Sequence, residues 1–320
     1  MDNITHTLVG LALADSGLKR RSRLGTAALV VGANLPDIDA LVYFVGRGGA
    51  SALAFRRGWT HGVLAMAVLP AALTAGLLGW NRLVRGPETN HSPEPVLRPA
   101  QLLLLAALGV WSHPLLDLLN TYGVRLLMPF SGRWFYGDAL FIVDPWVWLS
   151  LAAGIVMARR RGRETGTPGA HRAARAALAL CGLYALAMAA SSRLARGIVD
   201  RRAGPGEARR TMVAPLFGAP FRREVIRDLG RSYEIGSLTL GIRSVYTRLE
   251  VRPTRAEEPG SRAAAATPEG ERFLAWSRFP EFVSRREGDS LRVTMSDARY
   301  AEPGGRSWAS VTVTVPAGER

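Results

Sequence analysis

Cysteine is nearly absent: Cys181 is the only one in 320 residues, so no internal disulfide framework is available. It lies in an apolar run and reads as a packed small hydrophobe. Histidine is scarce too, with five in the chain, and none falls after residue 171. Long apolar runs are missing beyond about residue 205, although hydrophobic residues make up 48% of the whole and mean hydropathy is +0.07. The start, "MDNITHTLVG", lacks a basic segment ahead of its apolar residues, so no cleavable signal peptide is expected. The charge of +15 comes almost entirely from arginine. In a membrane protein such charge sits in loops and sets orientation, so no nucleic-acid partner is expected from it.

What is present is a chain of two characters. Runs at 24–46, 62–83, 99–120, 139–158 and 173–195 are each long enough to approach a span of about 20 apolar residues. Ahead of them, "ITHTLVGLALADSGL" is apolar but short, a tilted span or a re-entrant helix. The expected fold is an α-helical integral membrane bundle of five to six membrane helices, with at least one broken. A small β-rich soluble domain follows. The boundary is placed between residues 1–198 and 199–320. "SYEIGSLTLGIRSVYTRLEVRP", "DSLRVTMSD" and "SWASVTVTVP" alternate β-branched and polar residues as strands do. "RPTRAEEPGSRAAAATPEGE" reads as a flexible loop between them.

Basic clusters orient the runs. "KRRSR" (19–23), the arginines at 82, 85 and 98, and "RRRGR" (159–163) all fall on one side if the first short segment crosses. That side is then the cytoplasm. The expected location is the bacterial cytoplasmic membrane, multi-pass, with the N-terminus and the C-terminal domain outside.

Polar residues interrupt the apolar runs at few places. Asp37 and Asp39 follow Pro36 in "NLPDID", and a proline in a span removes a backbone donor and bends or breaks the helix. His113 and Asp117 are four apart in "HPLLD" and share a helix face. Asp138 and Asp144 flank the start of the 139–158 run. Counted at 1.5 Å per residue from the cytoplasmic ends, Asp37 and His113 both lie roughly 20 Å along their helices. His6 and His61 approach the same level from outside. Three histidines and up to five aspartates therefore gather near the outer face. Arg56, Arg57, Arg125 and Arg133 read as outer-loop residues. Buried carboxylates need compensating charge, and a divalent cation held by His nitrogens and carboxylate oxygens supplies it. That donor mix suits Zn first, then Mn or Fe, with one or two ions per chain; Ca and Mg prefer oxygen alone. Thr-His followed by Pro-x-x-Asp occurs twice, at Thr5-His6 with Pro36–Asp39 and at Thr60-His61 with Pro114–Asp117, a faint internal repeat.

The ordered motifs "ITHTLVG", "NLPDID", "GWTHG", "HPLLDLLNTYGV" and "WFYGDALFIVDPW" resemble the YdjM-like (YbcI-type) metal-dependent hydrolases of bacterial inner membranes. The resemblance covers about residues 1–160. It implies a multi-span protein with a His/Asp metal site and hydrolytic activity, and metal ligands at His6, Asp37, Asp39, His61, His113 and Asp117. Asp138 and Asp144 match recurrent positions; Asp138 is carried as a further ligand. Asp39, Asp117 and Asp144 are the candidates for catalytic roles such as general base. Gly62 departs from the pattern, standing where a small hydroxyl residue is expected. Thr60 reads as a helix cap. His91 and His171 read as solvated, and Trp134, Tyr136, Trp146 and Trp148 as an aromatic belt.

Three function classes follow. The first is a hydrolase acting at the outer leaflet on a lipid-linked phosphoester or ester. The second is an intramembrane metal or proton transporter; transporter sites lie near the midplane between inverted repeats, whereas here the groups sit near one face and the repeat is parallel. The third is a scaffold with a structural metal. Partners expected are the lipid bilayer and a lipid-like substrate.

Overall fold

The computed structural model describes residues 1–44, 49–85, 96–165, 169–203, 208–301 and 307–317. His91 lies outside the described residues. The helices are α1 (Asn3–Asp15), α2 (Gly25–Asn34), α3 (Ala50–Phe55), α4 (Val63–Arg85), α5 (Pro99–Asp117), α6 (Pro145–Thr165), α7 (His171–Ala203), α8 (Pro259–Ala265) and α9 (Pro268–Trp276). The strands are β1 (Arg210–Leu216), β2 (Ala219–Asp228), β3 (Ser232–Thr239), β4 (Val245–Pro253), β5 (Pro280–Glu287), β6 (Ser290–Asp297) and β7 (Ser310–Pro316). Contacts divide the chain into two compact units. One comprises Met1–Asp39 and Arg57–Ser191, the other Ala40–Arg56 and Ser192–Arg320.

The first unit is helical. Asp2 starts α1 by accepting from the amides of Ile4 and Thr5 at 3.0 and 3.1 Å, and Pro99 opens α5 at its first turn, where a missing N–H costs nothing. Asp144 opens α6, accepting from the amides of Trp146 and Val147 at 3.0 and 3.2 Å. Helices α2 and α5 pack against each other, with Ala28, Leu29, Leu102, Leu105 and Ala106 buried. Between membrane helices such packing depends on small residues that let backbones approach. A Cβ on Gly109 would stand 2.7 Å from the Leu29 carbonyl oxygen, so glycine alone allows this crossing. A second cluster, Leu140, Val147, Leu151, Ile155 and Met188, is completed by half-buried Cys181, which packs as the small hydrophobe expected.

Among the described residues four helical stretches are long and apolar enough to cross a membrane: Gly25–Tyr43, Val63–Val84, Pro99–Asp117 and His171–Arg202. The first is broken as Pro36 predicts. It runs as α-helix to Asn34 and as 3-10 helix over Leu35–Tyr43. The remaining two segments of the expected five to six are shorter in their apolar part. Helix α1 has 13 residues, about 20 Å at 1.5 Å per residue. The run expected to be helical from 139 turns helical only at Pro145, because Asp144 and Pro145 fix the start of α6 there.

The second unit is β-rich. Strands β1–β4 form an antiparallel sheet in the order β1-β2-β3-β4, and β5–β7 form a separate three-stranded antiparallel sheet. One face of the larger sheet buries Met212, Ala214, Ile226 and Ile235 with Phe279 and Ala298. The other presents Val213, Val225 and Leu238 to Ala195 and Val199, in the last turns of α7. The segment expected to be a flexible loop contains α8 and α9 instead. Each has proline in its first turn, and the Thr267 hydroxyl accepts from the Gly270 amide at 3.1 Å. The alanine run favours helix, and α9 buries Phe273 and Trp276.

Candidate metal centre

The break at Pro36 begins the site. In a 3-10 turn the Ala33 carbonyl would take the N–H of residue 36, and proline has none. His113 fills that role: its Nδ1 lies 2.6 Å from the Ala33 oxygen. A carbonyl only accepts, so Nδ1 carries a proton, and in the neutral ring Nε2 presents a lone pair. That Nε2 faces Asp37 Oδ1 at 3.7 Å and Asp117 Oδ2 at 3.5 Å.

His61 is held in the same tautomer by other means. The Thr60 hydroxyl donates to Asp39 Oδ2 at 3.1 Å and lies 2.9 Å from His61 Nδ1. With its only proton given to Asp39, the hydroxyl can only accept from His61, so Nδ1 is again the donor. The bare Nε2 lies 3.4 Å from Asp117 Oδ2 and 3.9 Å from Asp37 Oδ1. Thr60 is thus a positioning residue; the helix behind it starts at Val63, too far along for Thr60 to cap it.

His6 enters from α1, its Nε2 3.4 Å from Asp117 Oδ1. Its ring stacks on His113 with centroids 3.7 Å apart, and His61 meets His113 edge-on at 4.9 Å. All three rings are fully buried, as is Asp117. Among the described residues, His6 Nδ1 and Nε2, His61 Nε2 and His113 Nε2 have no hydrogen-bond partner. Orphaned buried polar atoms are rare and call for an explanation. Lone pairs of three rings turned toward carboxylate oxygens fit a cation between them. Two three-donor groups satisfy ligand spacing, His6–His113–Asp117 and Asp37–His61–His113, each with donor atoms within 4.8 Å of one another.

The remaining candidates stand elsewhere. Asp39 is behind His61, its Oδ2 accepting from the Arg57 amide at 2.7 Å, and belongs to neither group. Asp138 is buried with a left-handed backbone (φ 50°) and also lies outside both groups. Asp144 caps α6 and accepts from the Tyr184 hydroxyl at 3.1 Å. Its carboxylate is committed to helix initiation, a role the sequence Asp-Pro-Trp signals directly. His171 is not simply solvated: its Nδ1 lies 3.1 Å from the Asp15 carbonyl oxygen, beside Arg175 Nε on the Ser16 carbonyl at 2.8 Å. Both close the C-terminal end of α1, where donors are favoured. In the aromatic group, the Trp148 indole donates to Thr5 Oγ1 at 2.9 Å and Trp134 lies under the Arg125 guanidinium at 4.9 Å.

Sequence reasoning missed Arg57. It is buried rather than in an open loop. Its Nε lies 3.2 Å from Asp117 Oδ2, and its terminal nitrogens donate to Asn120 Oδ1 at 3.2 Å and to the Met1 carbonyl at 3.3 Å. Its guanidinium carbon sits 4.5 Å from the Tyr122 ring centroid. The backbone has φ 53°, uncommon for a non-glycine residue, and is held from both sides, by Asp39 and by the Arg125 amide on its carbonyl at 2.9 Å. The Met1 α-amine also contacts Asp117. Charge compensation assigned above to a metal is therefore shared with the protein. The Gly62 departure has a steric reason: a Cβ there would lie 2.3 Å from the Met128 carbonyl oxygen.

Comparison with known proteins gives an uncharacterised relative, YfhP of Bacillus subtilis (strain 168), 26% identical over 168 residues, covering 49% of this chain and 46% of that protein. The chain thus spans about half the length of that relative. No solved structure matches. The model of the YdjM inner membrane protein family matches residues 1–195. With the greater part of its length covered, and the buried His/Asp cluster inside the covered part, the chain belongs to the YdjM inner membrane protein family.

Proposed function

We propose that this membrane protein is a metal-dependent hydrolase whose centre is built from His6, Asp37, His61, His113 and Asp117. The observation that carries the reading is that two overlapping three-donor groups share His113, so that a divalent ion held by either group has three protein donors. Structural zinc sites are closed by four protein ligands, whereas catalytic sites keep a position open. The three imidazoles and two carboxylates suit Zn best, with Mn or Fe next. A bound divalent ion supplies Lewis acidity and lowers the pKa of water toward 7.

The chain's own groups divide the remaining work. Asp39, through Thr60, fixes the ring of His61. Ala33 fixes that of His113. Asp37 Oδ1 faces the Nε2 atoms of His61 and His113 and completes the donor set. Arg57, rigidly held beside Asp117, is placed to stabilise negative charge that develops on a substrate oxygen. Asp144 and Asp138 take no direct part.

The topology that accompanies this reading has five to six crossings, α1 and the shorter apolar stretch of α6 among them, with the C-terminal unit outside the cytoplasm. The cluster then lies toward the outer headgroups, and the natural substrate class is a lipid-linked phosphoester or ester. The test is metal analysis of detergent-purified protein beside an assay on a phosphomonoester, a phosphodiester and a carboxylic ester. Asp117→Asn should lose bound metal and hydrolysis together. A folded, metal-depleted Asp117→Asn protein as active as the parent overturns the proposal.

A further inference from the structure

The four-stranded sheet has two unlike ends. In the order β1-β2-β3-β4 the β1–β2 and β3–β4 turns lie at one end and the β2–β3 turn at the other. The two turns at the first end are neighbours: the Leu240 amide donates to the Phe221 carbonyl at 2.8 Å, next to the Arg222–Thr239 pair. This end carries Phe221 (69% exposed), Ile242 (fully exposed) and Val245 (55% exposed), with Phe217 also at the surface. Arg222 and Arg243 flank them and are exposed too. The opposite end is polar, with Asp228, Gly230 and Arg231, the last paired to Glu257 at 3.3 Å.

Apolar residues at turn tips face water at a cost unless something covers them. The occupant is indicated by the helix on which the sheet rests. Ala195 and Val199 of α7 pack on Val213, Val225 and Leu238, with Leu240 and Tyr246 against the same cluster. Leu240 belongs to the tip end. The candidate span His171–Arg202 includes these α7 residues, so the sheet packs on the C-terminal turns of a helix apolar enough to cross a membrane. Alternation along β2 and β3 puts Phe221 and Leu240 on the face that carries α7. Aromatic and aliphatic side chains ringed by arginine are the composition that settles at a lipid headgroup boundary, rings inward and guanidinium groups on phosphate.

We propose that the β1–β2 and β3–β4 turns insert Phe221, Ile242 and Val245 into the surface of the bilayer, with Arg222 and Arg243 on lipid phosphates. The sheet is thereby fixed to the membrane at a second place besides α7, whichever side of the membrane it occupies.

The experiment uses the full chain carrying Cys181→Ala, reconstituted in vesicles of phosphatidylcholine and phosphatidylglycerol. Ile242→Cys or Arg231→Cys is labelled with an environment-sensitive fluorophore. Both positions belong to one sheet, so mixed orientation in the vesicles affects them alike. Nitroxide-labelled lipid should quench the label at 242 at least about fivefold more than that at 231, and aqueous iodide should show the reverse order. Equal quenching at both positions overturns the proposal. So does a label at 242 shielded from iodide and from lipid alike, which places protein over the tip. Phe221→Cys repeats the measurement one strand away, and monodisperse elution in detergent qualifies each variant as folded.

Discussion

The Arg57 guanidinium stands 3.2 Å from Asp117 Oδ2 with both side chains buried. Breaking one partner of such a pair leaves an uncompensated charge and typically costs about 3–5 kcal/mol. Arg57→Ala should therefore lower thermal stability in detergent severely, and Arg57→Ala with Asp117→Asn should recover much of the loss. Saturating Zn should also stabilise Arg57→Ala more than the parent, because a cation replaces the missing charge. Additive losses in the double variant would mean that the two residues act separately.

Metal content should separate the histidines. His61→Ala and His113→Ala should each lower bound metal about 10-fold or more, if losing a ligand is at least as costly as losing the group that orients one. His171→Ala, which touches the end of α1 and no ligand, should leave metal content unchanged. Metal analysis of the three purified proteins decides it; full loading in both of the first two excludes the cluster as the binding site.

Thr60 should matter through its hydroxyl alone. Thr60→Val removes the link between Asp39 and His61 and should weaken metal affinity about 10–100-fold, the usual effect of removing an orienting partner. Thr60→Ser keeps the link and should bind metal like the parent. Competitive titration with a chromogenic chelator reads both.

In the β-rich unit, burial raises the Glu224 carboxyl from its ordinary 4.5 to about 7, with Arg252 opposing the rise. The folded state thus holds this proton more tightly than the unfolded one. The stability it contributes is full below about pH 4.5 and is lost as pH rises through about 7. At about 1.4 kcal/mol per unit the effect is a few kcal/mol at most. Glu224→Gln should flatten the fall in unfolding midpoint between pH 5 and 8; an unchanged pH profile would sink the assignment.

Much of this architecture was legible in the sequence. Apolar runs located the spans, Pro36 marked the broken one, and the order of His and Asp motifs named the residues that meet. Other features were hidden because partners distant in sequence decide them. Arg57 looks like a loop arginine until Asn120, Tyr122 and Asp117 are folded around it. His171 looks solvated until α1 ends beside it. One misreading was avoidable: "TPEGERFLAW" carries its own cap and first-turn proline. The five-to-six crossing count rested on apolar length and on the basic clusters, neither of which says where a helix begins.

Pro36 ligates nothing, yet its missing N–H leaves the Ala33 carbonyl to the ring of His113, 80 positions away. The two residues are a single heritable device. A relative that replaced Pro36 by a residue with an amide would supply Ala33 with a local donor, and the imidazole would be free to flip its proton onto the nitrogen that faces the carboxylates. Across the family, then, variation at one of these positions should be accompanied by variation at the other, and a gene in which only the proline has drifted marks a protein whose centre has been retuned or retired.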